Sequence, residues 1–220
     1  MLLAARTEAE LKAVVEEIRA AGEIAEYVVC DQADATSVRA AVDRAVDLYG
    51  RLDVAFNNAG TGHRPGPMDQ LPEAEFDHIY DVNLKGVWLA MVAEVAAIRA
   101  TAGRGAIVNN SSVGSHRANP ELPGYGATKR AVNSLTESAA VTYGPEGIRV
   151  NAVAPGHTRT EMIRAWEEAT PGLREQLTAL TPLRRAAEPH EIAQAAAWLL
   201  SDSASYVTGA VLRVDGGAGV

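Results

Sequence analysis

Five apolar clusters of strand length, separated by long stretches of helical period, constrain this chain more than any other feature. The clusters are EYVVC (26–30), LDVAF (52–56), GAIVN (105–109), IRVNAV (148–153) and AVLRV (210–214). Between them run TEAELKAVVEEIRAAG (7–22), ATSVRAAVDRAVDLYG (35–50), a segment from about Glu73 to Arg99, YGATKRAVNSLTESAAVTYG (125–144) and PHEIAQAAAWLL (189–200). Short apolar runs read as strands, and the longer stretches with apolar residues every three or four positions read as helices. Strands alternating with helices predict a parallel sheet covered on both faces, a doubly wound α/β fold. The first helix is expected to open on a capping box, Thr7 with Glu10, and to close at Gly22.

At 220 residues the chain has room for one domain and little for a second. The one long irregular stretch, 156–188, exceeds what a simple connection needs. It reads either as a substrate lid or as a surface excursion with a short amphipathic helix. Its Met162, Trp166, Leu173, Leu177 and Leu180 could line an apolar pocket or simply cover the core.

Charge and cysteine use narrow the function classes. The formal net charge of −8 argues against nucleic acid and against an anionic membrane surface as partners. Cys30 is the only cysteine, so an internal disulfide is impossible, and no Cys/His cluster has the spacing of a zinc site. No apolar run is long enough to span a bilayer, and the opening MLLAARTEAE turns charged early for a secretory leader. The expectation is a soluble cytoplasmic protein with small-molecule partners and no metal.

The chemistry concentrates around Tyr125-Gly-Ala-Thr-Lys129. On a helix, residues four apart lie on one face, so the phenol and the ammonium can reach one ligand. The strand GAIVN runs into Asn110-Ser111-Ser112, and ligands of open α/β sheets bind at such carboxyl ends. A nearby ammonium favours phenolate, which would bring the tyrosine toward working pH as a proton donor and acceptor. Ser112 could hold the substrate oxygen while Tyr125 passes the proton, which suits a carbonyl reduced or an alcohol oxidised. No G-x-S-x-G elbow is present, which speaks against a hydrolase triad.

With these residues stand the N-N-A-G turn Asn57–Gly60, Asn83 within D-V-N-L-K-G, the pair Pro155-Gly156 in N-A-V-A-P-G, and the closing V-T-G-A-V-L-R-V-D-G-G. Together, over essentially the whole chain, they resemble the classical short-chain dehydrogenase/reductases. The resemblance implies that Tyr125 is the general acid/base, that Lys129 lowers its pKa and holds the nicotinamide ribose, and that Ser112 anchors the substrate oxygen. Asn83 would order a water linking the lysine to solvent. Asn58, Ala59 and Gly60 would pack beside the adenine ribose, and Asp31 would bond the adenine amino group with Gln32 beside it. After Pro155 and Gly156, the backbone of Thr158 and the hydroxyl of Thr160 would meet the carboxamide and phosphates. The plain structural alternatives are that Asn58, Gly60 and Gly156 are turn residues, that Asn83 is a helix-kink residue, and that Asp31 caps the following helix.

In such proteins an acid at the end of the second strand selects NAD, whereas here Leu2–Arg6 supplies none, and Arg6 suits a 2′-phosphate. NADP(H) is therefore expected over NAD(H). The resemblance also implies an opening strand, a T-G-x-x-x-G-x-G turn and a helix. The chain begins at Met1 inside what resembles the second strand, so the expectation is a Rossmann-like domain truncated at its N-terminus. Its first unit should then re-pair or dock poorly. A homodimer or homotetramer is expected, and a catalytically idle relative that binds or scaffolds is the rival reading.

Overall fold

The computed structural model describes residues 1–219 and has the expected alternation. In order it contains β1 (Leu2–Ala5), α1 (Glu8–Ala20), β2 (Glu26–Val29), α2 (Ala35–Tyr49), β3 (Val54–Asn57), α3 (Glu73–Tyr80), α4 (Gly86–Ala100) and β4 (Gly105–Asn110). There follow α5 (Pro123–Tyr143), β5 (Ile148–Pro155), α6 (Glu161–Ala169), α7 (Leu173–Leu180), α8 (Pro189–Leu200) and β6 (Val211–Val214). All strand pairs are parallel, as helical crossovers require.

The core follows from strand alternation. Ile107, Ile148 and Val150 face one way and bury with Val87, Met91, Val95 and Ile98 of α4 and Val132 of α5. Val108 and Val153 face the other way and bury with Ile192, Ala196 and Leu199 of α8. Each such side chain contributes about 1.5–3 kcal/mol when fully buried, so helices on both faces hold the sheet.

Four expectations need correction. Thr7 makes no side-chain cap on α1; the capping box is realised at α8, where Glu188 and Glu191 exchange side-chain and backbone bonds. The helical segment expected from about Glu73 to Arg99 is continuous but not uniformly α-helical, because a π-helical turn at Asp81–Lys85 lies between α3 and α4. The irregular stretch 156–188 contains two helices, α6 and α7. The strands also form two sheets, β2-β1 and β3-β4-β5-β6, with no ladder between them among the described residues. The first unit therefore neither re-pairs nor hangs loose. It docks through its helix, with Val38 and Ala41 of α2 buried against Ala90 of α4 and Cys30. The outer edge of β3 stays open, with Val54 45% and Phe56 38% exposed, so water can reach its backbone groups.

Candidate active site

The carboxyl end of β4 delivers Asn110, Ser111 and Ser112 to one point, and α5 brings Tyr125 and Lys129 to the same point. Pro123 starts α5 at its first turn, where its missing N–H has no helical partner to lose, so the helix begins two residues earlier than the sequence pattern suggested. Lys129 is buried, and its Nζ donates to Asn110 O at 2.7 Å. The same Nζ lies 5.8 Å from the centre of the Tyr125 ring. Ser111 Oγ bonds Asn133 Oδ1 at 2.5 Å and Ser115 Oγ at 3.2 Å, which ties the end of β4 to α5.

The electrostatics differ from the sequence expectation. Part of the Tyr125 side chain is accessible, yet the phenol is enclosed enough for desolvation to raise its pKa, and Ser112 draws it back only partly. The tight contact of Ser112 Oγ is with the Gly114 N–H, at 3.1 Å. Burial also lowers Lys129, to about 8. With a pKa of about 8 the lysine is still largely an ammonium at pH 7, 5.8 Å from the centre of the tyrosine ring. The two groups are brought together, but burial governs both.

Asn83 sits in the π-helical turn and is fully buried. Its Oδ1 accepts from Thr61 N at 2.7 Å and its Nδ2 donates to Thr61 O at 2.8 Å. It thus clamps the segment following the N-N-A-G turn, so the kink residue and the site residue are one. A side chain at Gly60 would begin 3.3 Å from Lys129 Nζ and 3.4 Å from Asn83 Oδ1, which is why this position is bare. Asn58 Oδ1 accepts from Asn110 Nδ2 at 2.8 Å, joining the turn to β4. Ala59 lies between these two anchors.

The remaining expected positions are spread along the strand ends. Arg6 is exposed just beyond β1, and Asp31 and Gln32 follow β2 in the two-stranded sheet. Asp31 Oδ1 accepts from Ala33 N at 2.9 Å in a local turn. The cap of α2 is Asp34, which accepts from Thr36 N at 2.7 Å, so Asp31 is not the capping residue. Gln32 is packed against Gly86, and its Nε2 is buried without a partner. Pro155 ends β5, and a Cβ at Gly156 would lie 2.7 Å from Asp215 Cα, so this strand end needs glycine for close approach rather than for a turn. Thr158 is buried, its Oγ1 donating to Gly156 O at 3.1 Å. The Thr160 hydroxyl caps α6 by accepting from Ile163 N at 3.3 Å.

Over Tyr125 lies α6. Trp166 meets the Tyr125 ring edge-on, with centroids 6.4 Å apart and planes at 86°. A Cβ at Gly62 would fall 2.5 Å from Trp166 Cζ2 and 3.4 Å from Met162 Sδ. The first half of the 156–188 stretch is thus an apolar roof on the site. Sequence reasoning passed over Asn110 as the partner of both Lys129 and Asn58, Thr61 as the residue held by Asn83, and His63. His63 is buried, with Nδ1 2.9 Å from Arg64 O and Nε2 unpartnered. The available signal was polar residues crowded at predicted strand ends. Among the described residues no group of three or more His, Cys, Asp and Glu is placed to hold a metal, and no helix is long and apolar enough to cross a membrane.

A Rossmann-like parallel fold with serine, tyrosine and lysine at one strand end defines an oxidoreductase that interconverts alcohols and carbonyls. The chain belongs to the short-chain dehydrogenase/reductase family: a family profile described as enoyl-(acyl carrier protein) reductase matches residues 1–219. It is 44% identical over 217 residues to the A-factor type gamma-butyrolactone 1′-reductase (1S-forming) of Streptomyces virginiae, covering 99% of this chain and 84% of that one. It is 41% identical over 203 residues to a cyclohexanol dehydrogenase of an Acinetobacter species, covering 92% and 78% of the two chains. A crystal structure of gluconate 5-dehydrogenase from Burkholderia cenocepacia, in complex with NADP and tartrate, superimposes with a TM-score of 0.91. The two are 33% identical, and the match covers 99% of this chain and 84% of that one.

Proposed function

We propose that the chain interconverts a ketone and a secondary alcohol on an apolar, ring-containing substrate, with NADP(H) as cofactor. The convergence of Ser112, Tyr125 and Lys129 under the Trp166 roof carries this reading. The residues fit a nicotinamide nucleotide. Gln32 Nε2 and Asn110 Oδ1 are buried without partners, and Gly60 leaves space beside Lys129 Nζ. When bound, the cofactor supplies or takes the hydride at the substrate carbon. Ser112 holds the substrate oxygen by its hydroxyl. Tyr125 gives that oxygen a proton in reduction and takes it back in oxidation. Lys129 bonds the ribose and adds positive charge beside the phenol, while Asn83 keeps the Thr61 backbone in position. Trp166 and Met162 exclude water and favour an apolar ring, in keeping with the butyrolactone and cyclohexanol named for two relatives.

The preference for NADP rests on Arg6, an exposed guanidinium at the end of β1 where no carboxylate stands within the strand. Similar structures hold NADP, NADH or NAD+, so Arg6 alone supports this preference. The single, buried Cys30 suits a reducing compartment. The half-exposed Trp88 and Val92 on α4 offer a face for a homodimer or homotetramer.

A second reading, a catalytically idle binding or scaffolding protein, is favoured by the unpaired edge of β3. Titration of the 220-residue chain with NADPH, followed by nicotinamide fluorescence, separates the two. Saturable binding, with ketone-dependent NADPH oxidation that falls at least 100-fold in Tyr125→Phe, supports the enzyme. No binding at millimolar NADPH supports the idle reading.

A further inference from the structure

A cavity of about 560 Å³ lies between α6, α7 and the segment that leads into α8, on the far side of the roof from Tyr125. Its lining includes Arg159, Arg164, Arg174, Arg184 and Arg185, with His157. Glu167 and Glu188 oppose them within the lining, and Glu161 and Glu191 approach Arg164 and Arg185 from outside it, leaving a surplus of one positive charge in a chain whose net charge is −8.

The pairing is incomplete. Arg159 meets Glu188 at 2.7 Å, and Arg185 forks onto Glu191 with both contacts at 2.7 Å. Arg164 approaches Glu161 only to 3.9 Å. Arg184 donates to Ala179 O at 2.6 Å and, like Arg174, has no carboxylate partner among the described residues. Arg184 also has φ 55, the one non-glycine positive φ among the described residues. An arginine held in that region is a strained conformation of the kind that gathers at ligand clamps. An independent sign comes from His157, whose side chain is 4% exposed. Its Nε2 is 3.3 Å from Glu167 Oε1, and its Nδ1 is buried with no partner.

The cavity is separate from the reacting centre for a geometric reason. His157 and Arg159 line it, whereas the alternate residues Thr158 and Thr160 do not. Extended backbone sends successive side chains to opposite sides, and Thr158 pairs in parallel with Ala187 in such a conformation. The helix α6 is shared: Met162 and Trp166 reach toward Gly62 and Tyr125, while Ile163, Arg164 and Glu167 line the cavity.

We infer that this cavity is a binding site for a multiply charged oxyanion of the phosphate or polycarboxylate class, held by Arg174, Arg184 and Arg164 with His157 at its edge. Guanidinium forks match the oxygens of such groups. An anion there draws α6 and α7 together and fixes the helix that carries Trp166 over Tyr125. The binding does not depend on the proposed reaction; only its effect on turnover rests on that reading.

The test is calorimetric titration with inorganic pyrophosphate in magnesium-free buffer, on the chain and on two variants. One variant is Arg174→Gln with Arg184→Gln, both exposed positions; the other is Arg6→Gln. The expected result is saturable binding at one site that weakens with salt, falls at least tenfold in the double variant and persists in Arg6→Gln. The melting temperature of the chain should rise with pyrophosphate while that of the double variant does not. Absence of binding, equal binding by the double variant, or loss of binding only in Arg6→Gln would each overturn the inference. Loss of ketone reduction with pyrophosphate binding intact would count against the proposed reaction and leave the site standing.

Discussion

Replacing Glu94 by glutamine should remove most of the pH dependence of stability between pH 5 and 8. Glu94 lies midway along α4, 6% exposed, and its Oε2 accepts from Asn57 Nδ2 at 3.1 Å. The same Asn57 amide donates to Asn109 Oδ1 at 3.0 Å, and Asn109 Nδ2 donates to Thr136 Oγ1 at 3.0 Å, so the carboxyl ends a buried polar chain. Desolvation raises its pKa from 4.5 to about 7, with Asn57 opposing the rise. A pKa raised on folding means that the folded state holds the proton more tightly. The contribution of Glu94 is therefore intact below about 4.5, is lost as pH rises through about 7, and is level above that. At about 1.4 kcal/mol per pH unit the loss is on the order of 3 kcal/mol, a large share of a margin of about 5–15. Glutamine keeps an acceptor for Asn57 and cannot ionise. Urea unfolding at pH 5, 6, 7 and 8, followed by circular dichroism, should show the difference between the variant and the parent smallest at pH 5. The variant should be more stable by up to about 3 kcal/mol at pH 8. A difference between them that stays constant across that range would refute the reasoning, since every other titrating group cancels in the comparison.

Burial lowers Lys129 to about 8, so its charged form is disfavoured in the folded chain, and the stability tied to its neutral form is lost as pH falls from about 10.5 through 8. Lys129→Met should therefore melt no lower than the parent at pH 7 while ketone reduction falls at least 100-fold, measured by calorimetry and NADPH oxidation. Asn83→Leu strands both the N–H and the C=O of Thr61, at about 1–3 kcal/mol each, and should lower the urea midpoint by the corresponding amount. Gly62→Ala puts a methyl 2.5 Å from Trp166 Cζ2, so the ring must move off Tyr125. Tryptophan fluorescence should shift, and KM for an apolar ketone should rise more than kcat falls.

Hydrophobic period was enough to locate five of the six strands, because burial on both faces demands continuous apolar runs such as GAIVN and IRVNAV, which lie within β4 and β5, whereas β1 was reached only through the family resemblance. The spacing of Tyr125 and Lys129 was likewise legible, since one helical turn sets it whatever the surroundings. Chemical complementarity also pointed to Ser112 from its place after a strand. Other features depend on neighbours distant in the chain. The π-helical turn at Asp81–Lys85 carries Asn83, which turns inward to the backbone of Thr61, 22 positions away. Thr7 and Glu10 carry the letters of a capping box, but the box forms at Glu188 and Glu191 instead.

The sign of the electrostatics was decided by the fold alone. Sequence proximity set Lys129 beside Tyr125, and packing buries both groups, which shifts each toward its neutral form. The sequence reading did not single out Glu94, because its raised pKa comes from burial in the core, against which the Asn57 hydrogen bond pulls. The gathering of five arginines from residues 159 to 185 around one cavity was equally hidden, because it depends on how α6 folds back against α7 and the segment entering α8. Local period and motif spacing are properties of neighbours along the chain, and the sequence holds them outright. Desolvation, charge crowding and the junction between sheets are properties of neighbours in space, and for this protein only the tertiary structure determines them.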